Sequence, residues 1–213
     1  MMATLGASEV WSLDASQPAR TWPDEVLNRA VVDGQVNKII ALDCMYHFYP
    51  SRFEFLRFSA SALDAASSAN VGFVAEDLIL GPHVAWWHRC LLYVVCKFAH
   101  TPYGNFITRS QYVQLLSEAG FGVENGWQLV MHDITNDVFP GLARFLDPAN
   151  EKDADKDKDK DNDETHGARQ VRPWLRFERF KLFGKIVRWW ADYDVVRSVV
   201  IVLKKQGNND GLV

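Results

Sequence analysis

No glycine-rich phosphate loop precedes the first strand-like segment of this chain, and Gly6 stands alone among the opening residues. Such a loop grips a nucleotide by aiming backbone N–H groups and a helix N-terminus at its phosphates, so its absence removes the usual means of nucleotide binding. Cysteine is also scarce. Cys44, Cys90 and Cys96 make no CxxC pair and no metal-ligand spacing, and an odd count argues against a disulfide framework. A reducing compartment, the cytoplasm, is the expected location. Met1 to Trp11 lacks the basic start and apolar core of a secretory signal. The longest apolar stretch, Val84 to Ala99, is interrupted by His88, Arg89 and Lys97, which argues against a spanning helix. The histidines His83, His88, His100 and His132 show no pairing that would hold a metal.

What is present suffices for one domain. The 213 residues are 48% hydrophobic and 13% aromatic, enough to bury a substantial core. The formal charge of −4 is concentrated in Glu151 to Glu164, where eight acidic residues face four lysines. The remainder is near neutral, which gives no argument for nucleic acid. The lysine–aspartate run cannot bury apolar surface and reads as a solvated insertion over 150–168; it lacks the glycine and glutamate of a calcium loop.

Val36 to Cys44 is rich in aliphatic residues with little alternation, as in a strand covered on both faces. Ser51 and Glu54 are expected to make a capping box, and Phe53, Leu56, Ser59, Ala60 and Leu63 recur at helical spacing. Asn70 to Leu80 reads as a second buried strand closed by Gly81-Pro82. These three segments make a β-α-β unit and predict a parallel sheet. An aromatic helix from about Val84 to Phe98 follows, then the polar turn Thr101 to Asn105. A helix capped by Thr108 and Gln111 ends at Gly120, a strand runs from Trp127 to Ile134, and Phe139 to Leu146 forms a short helix. Pro173 to Tyr193 is a basic amphipathic helix, read either as a cover for the valine-rich strand Asp194 to Lys205 or as a membrane-surface element. The resulting division is an irregular segment 1–35, a core 36–149 with a helical lid over about 82–107, the acidic insertion, a C-terminal helix and strand over 169–205, and a tail 206–213.

Several strings resemble class I S-adenosylmethionine-dependent methyltransferases that act on small molecules, of the type 11/25-like kind, over roughly residues 8 to 205. They are Ala41 to Phe48 followed by Arg52 and Phe55-Leu56, the strand ending in Glu76-Asp77, Ala119-Gly120-Phe121, and Asp133 to Leu142. The resemblance implies an α/β class: a partial Rossmann-like fold with a mostly parallel sheet and an antiparallel C-terminal strand. The family's first strand, its GxGxG-type turn and its ribose-gripping acid would lie before Ser12, where only eleven residues stand. The first two strands are therefore expected to be missing, cofactor affinity to be impaired, and the Ile39 to Leu42 strand to be an open apolar edge suited to pairing with another chain.

By resemblance, Asp14 and Ala15 lie beside the adenine ring of S-adenosylmethionine. Asp43, Cys44 and Tyr46 take its methionine end, with Asp43 on the amino group or the substrate. His47, four residues after Asp43, acts as base or orients the acceptor, as histidine's proton-transfer range permits. Trp86, Trp87 and Tyr103, with Tyr93, lie in the lid and wall a partly apolar acceptor. Each has a plainer reading: His47 caps its loop, Asp43 ends its strand, the aromatics are core. Asp77 either reaches the site or caps its strand. The functional expectation is methyl transfer to a small molecule. The alternative is an inactive remnant serving as an interaction or regulatory module.

Overall fold

Strand β1, Lys38–Leu42, lies parallel to β2, Gly72–Leu80, with Ile39 opposite Phe73 and Ala41 opposite Ala75. In this computed structural model, which describes residues 36–66, 71–146 and 174–205, the two strands are joined through helix α1, Phe53–Asp64. The buried residues Leu56, Ser59, Ala60 and Leu63 return every three or four positions, so α1 presents one face to the sheet. That face meets Phe73, Ala75, Ile201 and Leu203 in one continuous core. Each fully buried aliphatic side chain there contributes roughly 1.5–3 kcal/mol.

Helix α2, Trp86–Phe98, and helix α3, Arg109–Leu116, lead to strand β3, Trp127–Asp133. Helix α4, Thr135–Leu146, helix α5, Trp174–Asp192, and strand β4, Val196–Lys205, complete the described residues. The strand order is β1-β2-β4-β3. Strand β4 runs antiparallel to both β2 and β3, so the other three strands point the same way. This is the expected parallel set with an antiparallel C-terminal strand, inserted between β2 and β3. A second core, built from Leu78, Leu80, Leu92, Phe139, Val187, Trp190 and Val196, joins the tips of β2 and β4 to α2, α4 and α5.

Local signals met different fates. The Thr108–Gln111 capping box forms with both of its hydrogen bonds, 2.9 and 3.4 Å. Beyond α3 the chain makes a wide turn over Ser117–Phe121 and reverses at Gly120, whose φ is +110°. A side chain there would also meet Ala60 Cβ at 3.0 Å. Helix α4 starts a turn before Phe139, because Asp133 Oδ1 accepts from the Thr135 N–H at 3.0 Å and caps the chain earlier. Ser51 Oγ accepts from the Phe53 N–H at 3.1 Å, but Glu54 turns outward to Arg57 and no reciprocal capping box forms. Strand β1 is not covered on both faces: among the described residues it pairs only with β2, and Ile40 and Leu42 are 67% and 61% exposed.

A buried polar knot ties β2 to the start of α1, to the turn Tyr103–Asn105 and to α3. The Arg52 guanidinium, wholly buried, donates from Nη1 to Asp77 Oδ2 and from Nη2 to the Asn105 carbonyl. The Tyr112 hydroxyl donates to the same Asp77 oxygen at 2.7 Å, and the Leu78 N–H to the other at 2.9 Å. Burial pushes the Asp77 carboxyl up from its ordinary range, against the pull of Arg52, and holds the Tyr112 phenol well above its own. A guanidinium keeps its charge under all ordinary conditions, so Asp77 is the counter-charge that makes its burial tolerable.

Removing one partner leaves an uncompensated buried charge. Asp77→Asn or Arg52→Met is therefore expected to lower unfolding free energy by about 3–5 kcal/mol in urea titrations, and the double change Arg52→Met with Asp77→Leu by less than the sum. Gly120→Ala, forced into a left-handed backbone against Ala60, is expected to cost about 1–2 kcal/mol in the same assay.

Candidate functional site

Asp43 ends β1 with φ +50°, a left-handed turn that aspartate tolerates better than most residues. Its N–H still donates to the Glu76 carbonyl at 3.2 Å, extending the parallel ladder by one bond before the chain leaves the sheet. Met45 is fully buried and anchors the following turn, Met45–His47, in the core. Two residues to either side of that anchor, Asp43 and His47 are exposed at the strand tip, while Cys44 and Tyr46 are half-buried.

The Tyr46 hydroxyl donates to Asp43 Oδ1 at 2.9 Å. Burial, then the Asp43 carboxylate, push the Tyr46 phenol far above its ordinary range. Tyr46 is therefore a fixed neutral donor and no base. Asp43 is exposed, and its second oxygen has no partner among the described residues. Cys44 is half-buried; desolvation first, then Asp77 and Asp43, raise its thiol, which leaves it protonated and a poor nucleophile.

His47 is exposed, its ring 4.2 Å from that of Tyr46. Its Nδ1 lies 3.1 Å from Thr101 Oγ1, and that hydroxyl also reaches the Ala99 carbonyl at 3.4 Å. The hydroxyl has one proton to give. When it goes to Ala99, the oxygen accepts from Nδ1–H and the Nε2 lone pair faces solvent, the tautomer a base requires.

Asn105, almost wholly buried, holds this loop in place. Its Nδ2 donates to the carbonyls of Tyr46 at 3.0 Å and Phe48 at 2.9 Å, while its Oδ1 accepts from the Arg52 N–H at 3.3 Å. The turn Tyr103–Asn105 thus links the Asp43–His47 loop to the Arg52–Asp77 pair. Asp77 lies in that pair, buried, and does not line the site.

Of the residues singled out in the sequence, the structure brings together Asp43, Cys44, Tyr46 and His47. Tyr103 lies close by, packed with Tyr46 against the second core and edge-on to Tyr93 at 5.6 Å. Trp86 and Trp87 open α2, whereas Thr101 follows its other end. One helix length of about 18 Å therefore separates the two tryptophans from the residue that His47 bonds. Asp14 and Ala15 lie outside the described residues. Asn105 and Thr101 are the residues the sequence reading missed in this role. Their signal was a polar turn directly after a helix of aromatic and aliphatic residues. No group of three histidine, cysteine, aspartate or glutamate side chains suited to a metal ion occurs among the described residues.

No family model matches the chain, and no curated protein is similar to it by sequence. Solved structures do match in fold. One is the Haemonchus contortus phosphoethanolamine N-methyltransferase 2 in complex with S-adenosyl-L-methionine, with TM-score 0.53 and 10% identity over 82% of this chain and 34% of that one. Another is a putative sarcosine dimethylglycine methyltransferase from Galdieria sulphuraria, with TM-score 0.55 and 8% identity over 80% and 53%. A third is a cyclopropane synthase from Mycobacterium tuberculosis, with TM-score 0.50 and 14% identity over 80% and 55%. The chain spans about a third to just over half the length of these structures. At such identities the likeness establishes architecture alone: a mixed, Rossmann-like α/β sheet that matches part of these methyltransferase and synthase structures.

Proposed function

We propose that this chain carries the acceptor side and the methionine end of the donor site of a small-molecule methyltransferase that uses S-adenosylmethionine. The observation that carries the reading is the β1 tip, where a half-paired carboxylate and an exposed, hydroxyl-oriented imidazole stand four residues apart. The residues fit the methionine portion of the donor. Asp43 has one oxygen fixed by Tyr46 and one left for an ammonium group, and Tyr46 closes the same side as a neutral wall. Asp14 and Ala15 are assigned to the adenine by resemblance alone. When bound, the donor supplies an electrophilic methyl group on a sulfonium.

The protein's own contribution is placement and one proton. His47, steered by Thr101, holds an acceptor hydroxyl or amine and takes its proton at Nε2. Tyr46 and Tyr103 give that acceptor an aromatic wall, which suits a partly apolar molecule. The Asn105 bonds to the Tyr46 and Phe48 carbonyls support this reading, because they hold the loop that carries both side chains. A second reading has its own observation: the edge of β1, unpaired among the described residues and with Ile40 and Leu42 exposed, favours an interaction module that pairs with another strand. Light scattering over a concentration series separates the two, since an oligomer abolished by Ile40→Lys supports pairing and a monomer throughout removes it.

Titration calorimetry of the chain with S-adenosylmethionine tests the first reading. The expected result is binding, weakened about tenfold to a hundredfold by Asp43→Asn and unchanged by His47→Ala. In a methyl-transfer assay with the acceptor, His47→Ala is expected to lower the rate by about 10²–10⁴. The absence of binding at millimolar donor, or equal affinity in Asp43→Asn, overturns it.

A further inference from the structure

Helix α2 is apolar on both sides. His88, Leu92 and Cys96 form its buried side, yet Trp87, Leu91, Val94 and Phe98, spaced by three and four residues, form an exposed stripe on the other, with Trp86 at its head. Trp86 is 76% and Phe98 83% exposed. An apolar stripe of this length left in water is the mark of a docking surface, so it calls for a cover.

Charge identifies the cover. No aspartate or glutamate occurs between Asp77 and Glu118, while Arg89 and Lys97 stand exposed on α2 itself. Helix α5 packs against α2 through a Trp189 Nε1–H bond to His88 Nδ1 of 3.0 Å, and it carries Lys185 and Arg188 exposed. Among the described residues near that end, Asp194 is held by Arg197 at 2.5 and 2.6 Å, which leaves the exposed Asp192 as the counterweight. A second copy of the same face would set Arg89 and Lys97 against their own kind, which disfavours a symmetric dimer there. An anionic lipid surface satisfies both features. It takes the apolar stripe into its boundary layer, and its headgroups meet the basic rim. Trp86, Trp87 and Tyr93 add rings with a polar edge, the kind that settles at such a boundary.

We infer that α2 is a membrane-docking face, laid flat on an anionic bilayer with Trp86 and Phe98 inserted at its two ends. Lying flat is the geometry its length allows: thirteen residues reach about 20 Å, short of the roughly 30 Å hydrocarbon core. No helix among the described residues is long and apolar enough to cross a membrane. The inference is independent of the proposed chemistry at Asp43 and His47.

Co-flotation of the whole chain with vesicles of phosphatidylcholine alone, or with an equal part of phosphatidylglycerol, tests it. Binding is expected with the mixed vesicles, at least about tenfold weaker for the neutral ones and for Trp86→Ser with Phe98→Ser. Arg89→Gln with Lys97→Gln is expected to reduce the preference for anionic lipid at least about tenfold, with Lys185 and Arg188 supplying what remains. The control Val123→Ser, an exposed residue on the turn before β3, should bind like the parent. Far-ultraviolet dichroism confirms that the variants remain folded. Failure to float with either vesicle, equal binding by the Trp86→Ser, Phe98→Ser variant, or a dimer in solution that this variant dissolves would each overturn the assignment.

Discussion

The buried Arg52–Asp77 pair is the constraint on which the strand-tip site depends. Arg52 precedes α1, Asp77 stands near the end of β2, and Tyr112 belongs to α3, so one charge pair fastens three elements that the chain brings together from far apart. Its second guanidinium arm reaches the Asn105 carbonyl, and the Asn105 side chain in turn holds the Tyr46 and Phe48 carbonyls. A network of this kind is costly when incomplete and rigid when satisfied. The Arg52 Nε, buried without a partner, is the one loose end on that guanidinium. Rigidity is what a loop needs if it is to hold Asp43 and His47 at fixed positions while the rest of it faces water.

Division of labour at the tip follows from burial. Tyr46 is sunk far enough to stay a neutral donor, and it spends its proton on Asp43. His47 remains exposed and, among the described residues, is engaged only at Nδ1, so the opposite ring nitrogen is available to a ligand. Under the proposed chemistry, the first pair recognises a cation and the second handles an acceptor's proton. Neighbouring side chains of one short turn differ in environment because Met45, at its start, is drawn fully into the core.

The sequence conveyed the framework well because local periodicity encodes it. The aliphatic run at Ile39 to Leu42, the three- and four-residue spacing from Leu56 to Leu63, the Thr108–Gln111 cap and the stop at Gly120 all depend on neighbours within a turn or two. Long-range polar pairing leaves no such trace. Nothing about Arg52 announces Asp77, twenty-five positions on, and Asn105 sits fifty-three positions from the backbone N–H it accepts. The same competition undid one local pattern: Ser51 and Glu54 have capping-box spacing, but the pull of Arg52 into the core fixes the start of α1 and leaves Glu54 to Arg57. Aromatic residues in α2 were ambiguous for another reason. Composition cannot tell a lid from a surface, and in the fold Trp86 and Trp87 stand exposed at the start of α2.

Native-state hydrogen exchange on Asn105→Ala tests the central claim most directly. The His47 and Phe48 amides, bonded at 3.0 and 3.1 Å within the turn, should exchange far faster than in the parent, while amides between β2 and β4 keep their protection. Unchanged exchange at His47 and Phe48 would contradict the account, because the loop would then owe its order to something other than Asn105 and the ion pair behind it.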